Sequence, residues 1–190
     1  MTKVLHKPIQ EVQLHDHTCL FFNTQIEFFH CAVPFINEGL KKNEKCLIVI
    51  DNIKHDEVIQ NLKYLFREIN NPFEEVAKTK SIIIEEFKNI YLQEGLFNIE
   101  KTLKTYIDLI HNAKIEGYKG LRVFAELSDS LKNLIEPNEF LEWEKLADQY
   151  FESNDFIAVC AYNKKCFSSS YISKALKIHP IEINSIKTRF

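Results

Sequence analysis

The sequence predicts an α/β fold: a mainly parallel sheet flanked by helices. Short apolar runs alternate with stretches of helical period, which is the pattern of strand–helix–strand crossovers. Several of the runs are apolar at every position, as strands covered on both faces are. No repeat, low-complexity tract or linker interrupts the 190 residues, a length that one sizeable core can use. The expectation is therefore a single domain over residues 1–190, with residues 1–14 as an N-terminal extension.

Taken in order, the strand-like runs are residues 18–22, 46–50, 81–84, 121–125, 156–161 and 181–186, all short and rich in β-branched or aromatic side chains. Between the first two, Phe29, Ala32, Val33, Ile36 and Leu40 recur at helical spacing, with Pro34 expected to bend the helix. Val58, Leu62, Leu65 and Ile69 mark a second helix. A third carries Ile99, Leu103, Tyr106, Ile107 and Ile110, with Asn98 placed to cap its start and Gly117 to end it. Phe140, Trp143, Ala147 and Tyr150 mark a fourth. Ser168 caps a fifth, which has to stop before His179-Pro180 because proline disfavours helix in the residue before it.

Composition narrows the function classes. Hydrophobic residues are 45% and charged residues 27% of the chain, an ordinary globular balance. A net charge of −3 supplies no overall basic field for nucleic acid. Cysteines 19, 31, 46, 160 and 166 form an odd set without a CxxC pair, so neither a disulfide framework nor a zinc ribbon is indicated. With no secretory leader pattern and no apolar stretch of membrane-spanning length, the expectation is a cytoplasmic protein without membrane contact.

Several segments then become recognisable. They include Asp16-His17-Thr18-Cys19-Leu20-Phe21-Phe22, Val33-Pro34-Phe35-Ile36-Asn37-Glu38-Gly39-Leu40 and Asn43-Glu44-Lys45-Cys46-Leu47. Tyr91, Gly95 and Phe97 follow, then the run from Glu116 to Val123, and Glu126. Glu142-Trp143-Glu144, Cys160-Ala161-Tyr162-Asn163, Phe167-Ser168 and His179-Pro180 complete the series. In order and spacing these resemble the MEDS family of sensory domains, named for methanogen and methylotroph proteins and the regulator of dichloromethane metabolism. The resemblance covers nearly the whole chain. It implies a RecA-like or KaiC-like fold and a sensory role, often in chains that also carry DNA-binding or kinase modules. Ala125 and Asn163 depart from the family pattern, where a glycine-like residue and an aspartate are usual.

A nucleotide hydrolase of that fold needs a glycine-rich loop with lysine after its first strand. Here the junction reads Asn23-Thr24-Gln25, so the phosphate cradle is missing and nucleotide hydrolysis is not expected. Ligands of open α/β sheets bind beyond the carboxyl ends of the strands. That places Asn23, Asp51, Asn52, Glu126, Ser128, Tyr162 and Asn163 at a candidate crevice for a small organic ligand. Glu126 reads equally as a ligand contact or as a capping or salt-bridged carboxylate. Tyr162 reads as packing or as a ring face offered to the ligand. Arg122, two and four residues before Phe124 and Glu126 and on their strand face, needs a buried partner, with Glu142 or Glu144 the nearest acids by topology.

His15, His17 and Cys19 would share a face of an extended chain, with His179 as a conceivable fourth ligand. A backbone-bonded histidine beside an apolar cysteine fits that spacing better, so no metal and no cofactor are expected. The leading reading is a non-catalytic sensory domain that acts through a signalling or regulatory partner, or through a possible homodimer, without touching nucleic acid directly. The alternative is a thiol- or metal-dependent enzyme using His17 and Cys19.

Overall fold

The computed structural model describes residues 5–51, 53–152 and 154–183. The strands are β1 (Leu5–Lys7), β2 (His17–Phe22), β3 (Lys45–Ile50), β4 (Ile82–Glu86), β5 (Leu92–Gln93), β6 (Leu96–Phe97), β7 (Leu121–Leu127), β8 (Phe156–Asn163) and β9 (Ile181–Ile183). The helices are α1 (Gln25–Lys41), α2 (His55–Glu68), α3 (Phe73–Lys78), α4 (Phe87–Tyr91), α5 (Ile99–Ile115), α6 (Asp129–Leu134), α7 (Pro137–Phe151) and α8 (Ser169–Ile178). Seven strands form one sheet in the order β1-β9-β2-β8-β7-β3-β4, with every pairing parallel. β5 and β6 make a separate antiparallel hairpin. Asn52 and residues 184–186 of the last expected strand lie outside the described residues.

Right-handed crossovers explain where the helices go. Connections that run toward β4 carry α1, α2 and α3, and these bury Phe28, Phe35, Leu62 and Phe66 on one face with Leu20, Ile48 and Phe124 of the sheet. Connections that run back toward β1 carry α4 to α8, which pack Tyr106, Trp143 and Tyr171 on the opposite face with Leu47, Val123 and Cys160. β2, β3, β7 and β8 are covered on both sides, which is why they read as unbroken apolar runs.

The helix ends follow local chemistry. Asn98 accepts the Lys101 N–H at 2.9 Å and Ser168 accepts the Tyr171 N–H at 3.2 Å, both as N-caps. Gly117, at φ 89°, follows the end of α5 in the left-handed conformation glycine tolerates. α8 ends at Ile178, and His179 is extended (φ −88°, ψ 111°) in front of Pro180.

Arg122 corrects one expectation. Its partner is Glu44, whose Oε2 accepts from Nε at 2.5 Å, and Nη1 donates to the Phe35 carbonyl at 3.2 Å. Glu142 and Glu144 belong to α7 on the other face of the sheet, so the side of β7 from which Arg122 projects cannot reach them. Among the described residues no helix is long and apolar enough to cross a membrane.

Candidate functional site

Two places bring chemically capable side chains together. The first is a buried cluster on the α7–α8 face. In the β2–β8 register His17 sits opposite Ala158 and Cys19 opposite Cys160, so His17 and Cys160 project from adjacent strands onto the same face. Helix α7 buries Phe140, Trp143 and Ala147, and Glu144 falls in that same stripe, so its carboxylate is carried inward. His179 arrives from the C-cap of α8, where Pro180 fixes the extended backbone.

Glu144 is the hub. Its Oε2 lies 3.0 Å from His17 Nε2, 3.4 Å from His179 Nε2 and 3.5 Å from Cys160 Sγ. Its Oε1 accepts from the Tyr162 hydroxyl at 2.8 Å. Cys160 Sγ is 3.4 Å from His17 Nε2, and the two imidazoles are 4.4 Å apart between ring centres. His179 Nδ1 is 2.9 Å from the Ala175 carbonyl, which can only accept, so Nδ1 carries the proton and Nε2 is turned to the cluster. His17 Nδ1 lies 3.4 Å from Asp148 Oδ1, near enough for attraction but without hydrogen-bond alignment. Beside the cluster is a small cavity of about 10 Å³ bordered by Tyr91, Tyr106, Trp143 and Phe156, room for about one water.

The electrostatics follow from burial and charge. Burial by itself would lower the His17 imidazole, but the carboxylates of Asp148 and Glu144 lift it to about 9. Burial would raise Glu144, yet His179 and His17 hold it well below the ordinary carboxylate range. Burial, then the negative charge of Glu144, pushes the Cys160 thiol far up.

The second place is the end of the sheet where β3 and β7 part. After β3 the chain continues toward β4 on one face, and after β7 it turns back toward β8 on the other, the divergence that opens a crevice in doubly wound sheets. Glu126 spans the gap: Oε2 accepts the Asp51 N–H at 2.9 Å and Oε1 accepts the Ser128 hydroxyl at 3.0 Å. Asp51 Oδ2 in turn accepts the Ser130 N–H at 2.8 Å, and burial raises the carboxyl's pKa. Outside this tie is an open depression of about 440 Å³, lined by residues including Asp51, Lys54, His55, Lys88, Asp129 and Ser130.

The sequence-selected residues divide between these places. Asp51, Glu126 and Ser128 meet at the β3–β7 gap. Tyr162 is fully buried and belongs to the Glu144 cluster, on the other face of the sheet from Glu126. Asn23 and Asn163 stand at the neighbouring ends of β2 and β8. There the Asn23 N–H bonds to Glu27 at 2.8 Å, and Asn163 Oδ1 accepts from the Lys165 N–H at 3.1 Å. His17 and His179 come together, whereas His15 precedes β2 in the left-handed conformation (φ 75°). Cys19 instead turns its thiol toward the Ile181 carbonyl at 3.8 Å, and burial holds it as a thiol. Sequence spacing does not single out Glu144 and Cys160 as site residues. Their signals were the position of Glu144 in the apolar stripe of α7 and the even spacing of Cys160 from Tyr162 along β8.

The β2–α1 junction holds a carboxylate where a nucleotide hydrolase would hold phosphate. Thr24 Oγ1 accepts the Glu27 N–H at 3.3 Å while Glu27 Oε2 accepts from the Asn23 N–H, so the start of α1 already carries a negative charge. ATP or GTP with magnesium is accordingly expected to give no binding heat in calorimetric titration. Micromolar binding with phosphate release would return this chain to the nucleotide hydrolases.

This parallel sheet flanked by helices on both faces defines an α/β domain. A KaiC-like protein from the hyperthermophilic archaeon Pyrococcus horikoshii OT3 superimposes with a TM-score of 0.55, at 15% identity, over 86% of this chain and 70% of that one. The model of the methanogen/methylotroph, DcmR sensory domain matches residues 16–180, and the chain belongs to that MEDS family. The transcriptional repressor DcmR of Methylorubrum extorquens is 24% identical over 170 residues, 89% of this chain. The chain spans 60% of that relative's length. A sensory role follows from the family.

Proposed function

We propose that this domain is a non-catalytic cytoplasmic sensor that takes up a small polar organic molecule at the depression between β3 and β7. Occupancy shifts its conformational population, and a regulatory partner protein or a second copy of the chain reads the shift. The observation that carries the reading is the position of the depression at the diverging strand ends, with Lys54, Lys88, Asp51 and Asp129 all in its lining. Such a lining suits a polar or zwitterionic molecule. α6 begins at Asp129, directly beyond the Glu126–Asp51–Ser128 tie, so a ligand that loosens or tightens the tie bears on the start of that helix. A role in transcription regulation would run through a partner that contacts DNA, given the net charge of −3.

The test is a thermal-shift survey of small carboxylates, amines, alcohols and amino acids. One class is expected to raise the melting temperature by several degrees, as a ligand at about 100 times its Kd adds roughly 2.7 kcal/mol. Asp51→Asn, which keeps an acceptor for the Ser130 N–H, should remove that response and leave the unliganded melting temperature within a few degrees. Failure of every class to stabilise the protein, or an equal response in the variant, overturns this site.

A further inference from the structure

We propose that His17 Nε2, His179 Nε2, Cys160 Sγ and one oxygen of Glu144 form a tetrahedral site for a single zinc-type divalent ion. This assignment goes against the expectation of no metal read from the sequence, and it stands or falls separately from the β3–β7 crevice.

Five observations carry it. The candidate donor atoms of the four residues all lie within 4.8 Å of one another, and the four residues are buried. Their closest separations, 3.0, 3.4, 3.4 and 3.5 Å, fall around the edge of a tetrahedron, about 3.4 Å for bonds near 2.1 Å. The donor set of two imidazoles, a thiolate and a carboxylate is borderline-soft, which favours zinc and its neighbours over magnesium or calcium.

The surrounding contacts are those that orient metal ligands. His179 Nδ1 donates to the Ala175 carbonyl, Asp148 faces His17 Nδ1, and the Tyr162 hydroxyl holds the remaining Glu144 oxygen. Finally, His179 Nε2 is buried, aimed at the cluster, and has no hydrogen-bond partner. A desolvated nitrogen without a hydrogen bond is costly, and a metal ion satisfies it.

The chemistry balances by proton release. The ion takes Cys160 as its thiolate and His17 as a neutral imidazole through Nε2, and any protons these groups carry pass to solvent as it binds. The ion then replaces those protons as the positive charge beside Glu144. Four protein donors complete the coordination, so no position is left for a metal-bound nucleophile, and the ion acts by fixing β2, β8, α7 and the end of α8 to one another. Asp148, with its side chain 41% exposed, marks the solvent side of the cluster.

Cobalt(II) reports the site directly. The full chain, purified without chelators, is expected to carry about one equivalent of zinc by elemental analysis. After its removal, cobalt should bind with the intense visible bands of a tetrahedral centre and a thiolate-to-cobalt band in the near ultraviolet. Cys160→Ser should abolish the thiolate band, and Cys19→Ser, outside the donor set, should retain it. Asp148→Asn should weaken zinc by roughly 10–100-fold, the usual effect of losing an outer partner. If Cys160→Ser does not fold, the wild-type cobalt spectrum decides alone. Folded wild-type protein that takes up neither ion stoichiometrically, or whose cobalt complex lacks the thiolate band, overturns the proposal and leaves the cluster as a hydrogen-bonded network around Glu144.

Discussion

Arg122→Gln is expected to destabilise the domain by roughly 3–5 kcal/mol, the cost of breaking a buried ion pair from one side. At this chain length that is a fall in melting temperature on the order of 10 °C. The guanidinium is fully buried, 4.4 Å from the centre of the Phe35 ring, and pairs with a Glu44 that is itself only 3% exposed. Glutamine leaves the Glu44 carboxylate without its cation and too deep for water to replace it. Gly39 supplies the room: a Cβ there would stand 2.6 Å from Arg122 Cδ, so the arginine stem occupies the volume a side chain would take. Glu142→Gln is the contrast. Glu142 is exposed on α7, and its loss should change stability by less than about 0.5 kcal/mol. Denaturant melts of the two variants check the pair. An Arg122→Gln protein within about 1 kcal/mol of wild type would show that the Glu44 pairing does not hold in solution.

The misplacement of Arg122's partner shows where reading from sequence stops. Strand and helix signals are local, and the caps at Asn98 and Ser168, the end of α5 before Gly117 and the stop before His179-Pro180 all stood where their chemistry put them. The face of the sheet that each helix covers is not local. It depends on strand order, and β7 lies between β8 and β3, so that Arg122 pairs across 78 residues with Glu44 in the turn just before β3. The short elements β1, α3, α4 and α6 and the β5–β6 hairpin run two to six residues each, too few for a period to declare itself. The Glu144 cluster fails to show for a related reason. Residues 17, 144, 160 and 179 have no characteristic spacing, and they meet because β2 and β8 pair while α7 and α8 lie over them. His15, His17 and Cys19 share a face of an extended chain, but only His17 joins the cluster, because β2 begins there and Cys19 turns to the Ile181 carbonyl.

Gly120→Ala is expected to destabilise the protein by about 3 kcal/mol, near the top of the range for overpacking. A Cβ at this position would run into the backbone oxygen of Asp155 and lie 3.1 Å from its carbonyl carbon. The obstruction is main chain, so no rotamer relieves it. Nor can the chain retreat, since the Gly120 carbonyl accepts the Lys45 N–H and the Asp155 carbonyl accepts the Leu121 N–H, both at 2.9 Å. Those two bonds set where β7 enters between β3 and β8, and moving Gly120 aside weakens one or both at roughly 0.5–1.5 kcal/mol each. Because β8 beside it carries Cys160 and Tyr162, a shift at this end is expected to disturb the Glu144 cluster as well as lower stability. Gly117→Ala separates steric from conformational cost. Gly117 has φ 89° but open space around its Cα, so alanine there meets only the penalty of a left-handed backbone, about 1–2 kcal/mol. Parallel urea melts should therefore rank Gly120→Ala below Gly117→Ala, and the reverse order would mean that the β7–β8 entry yields where its hydrogen bonds say it is held.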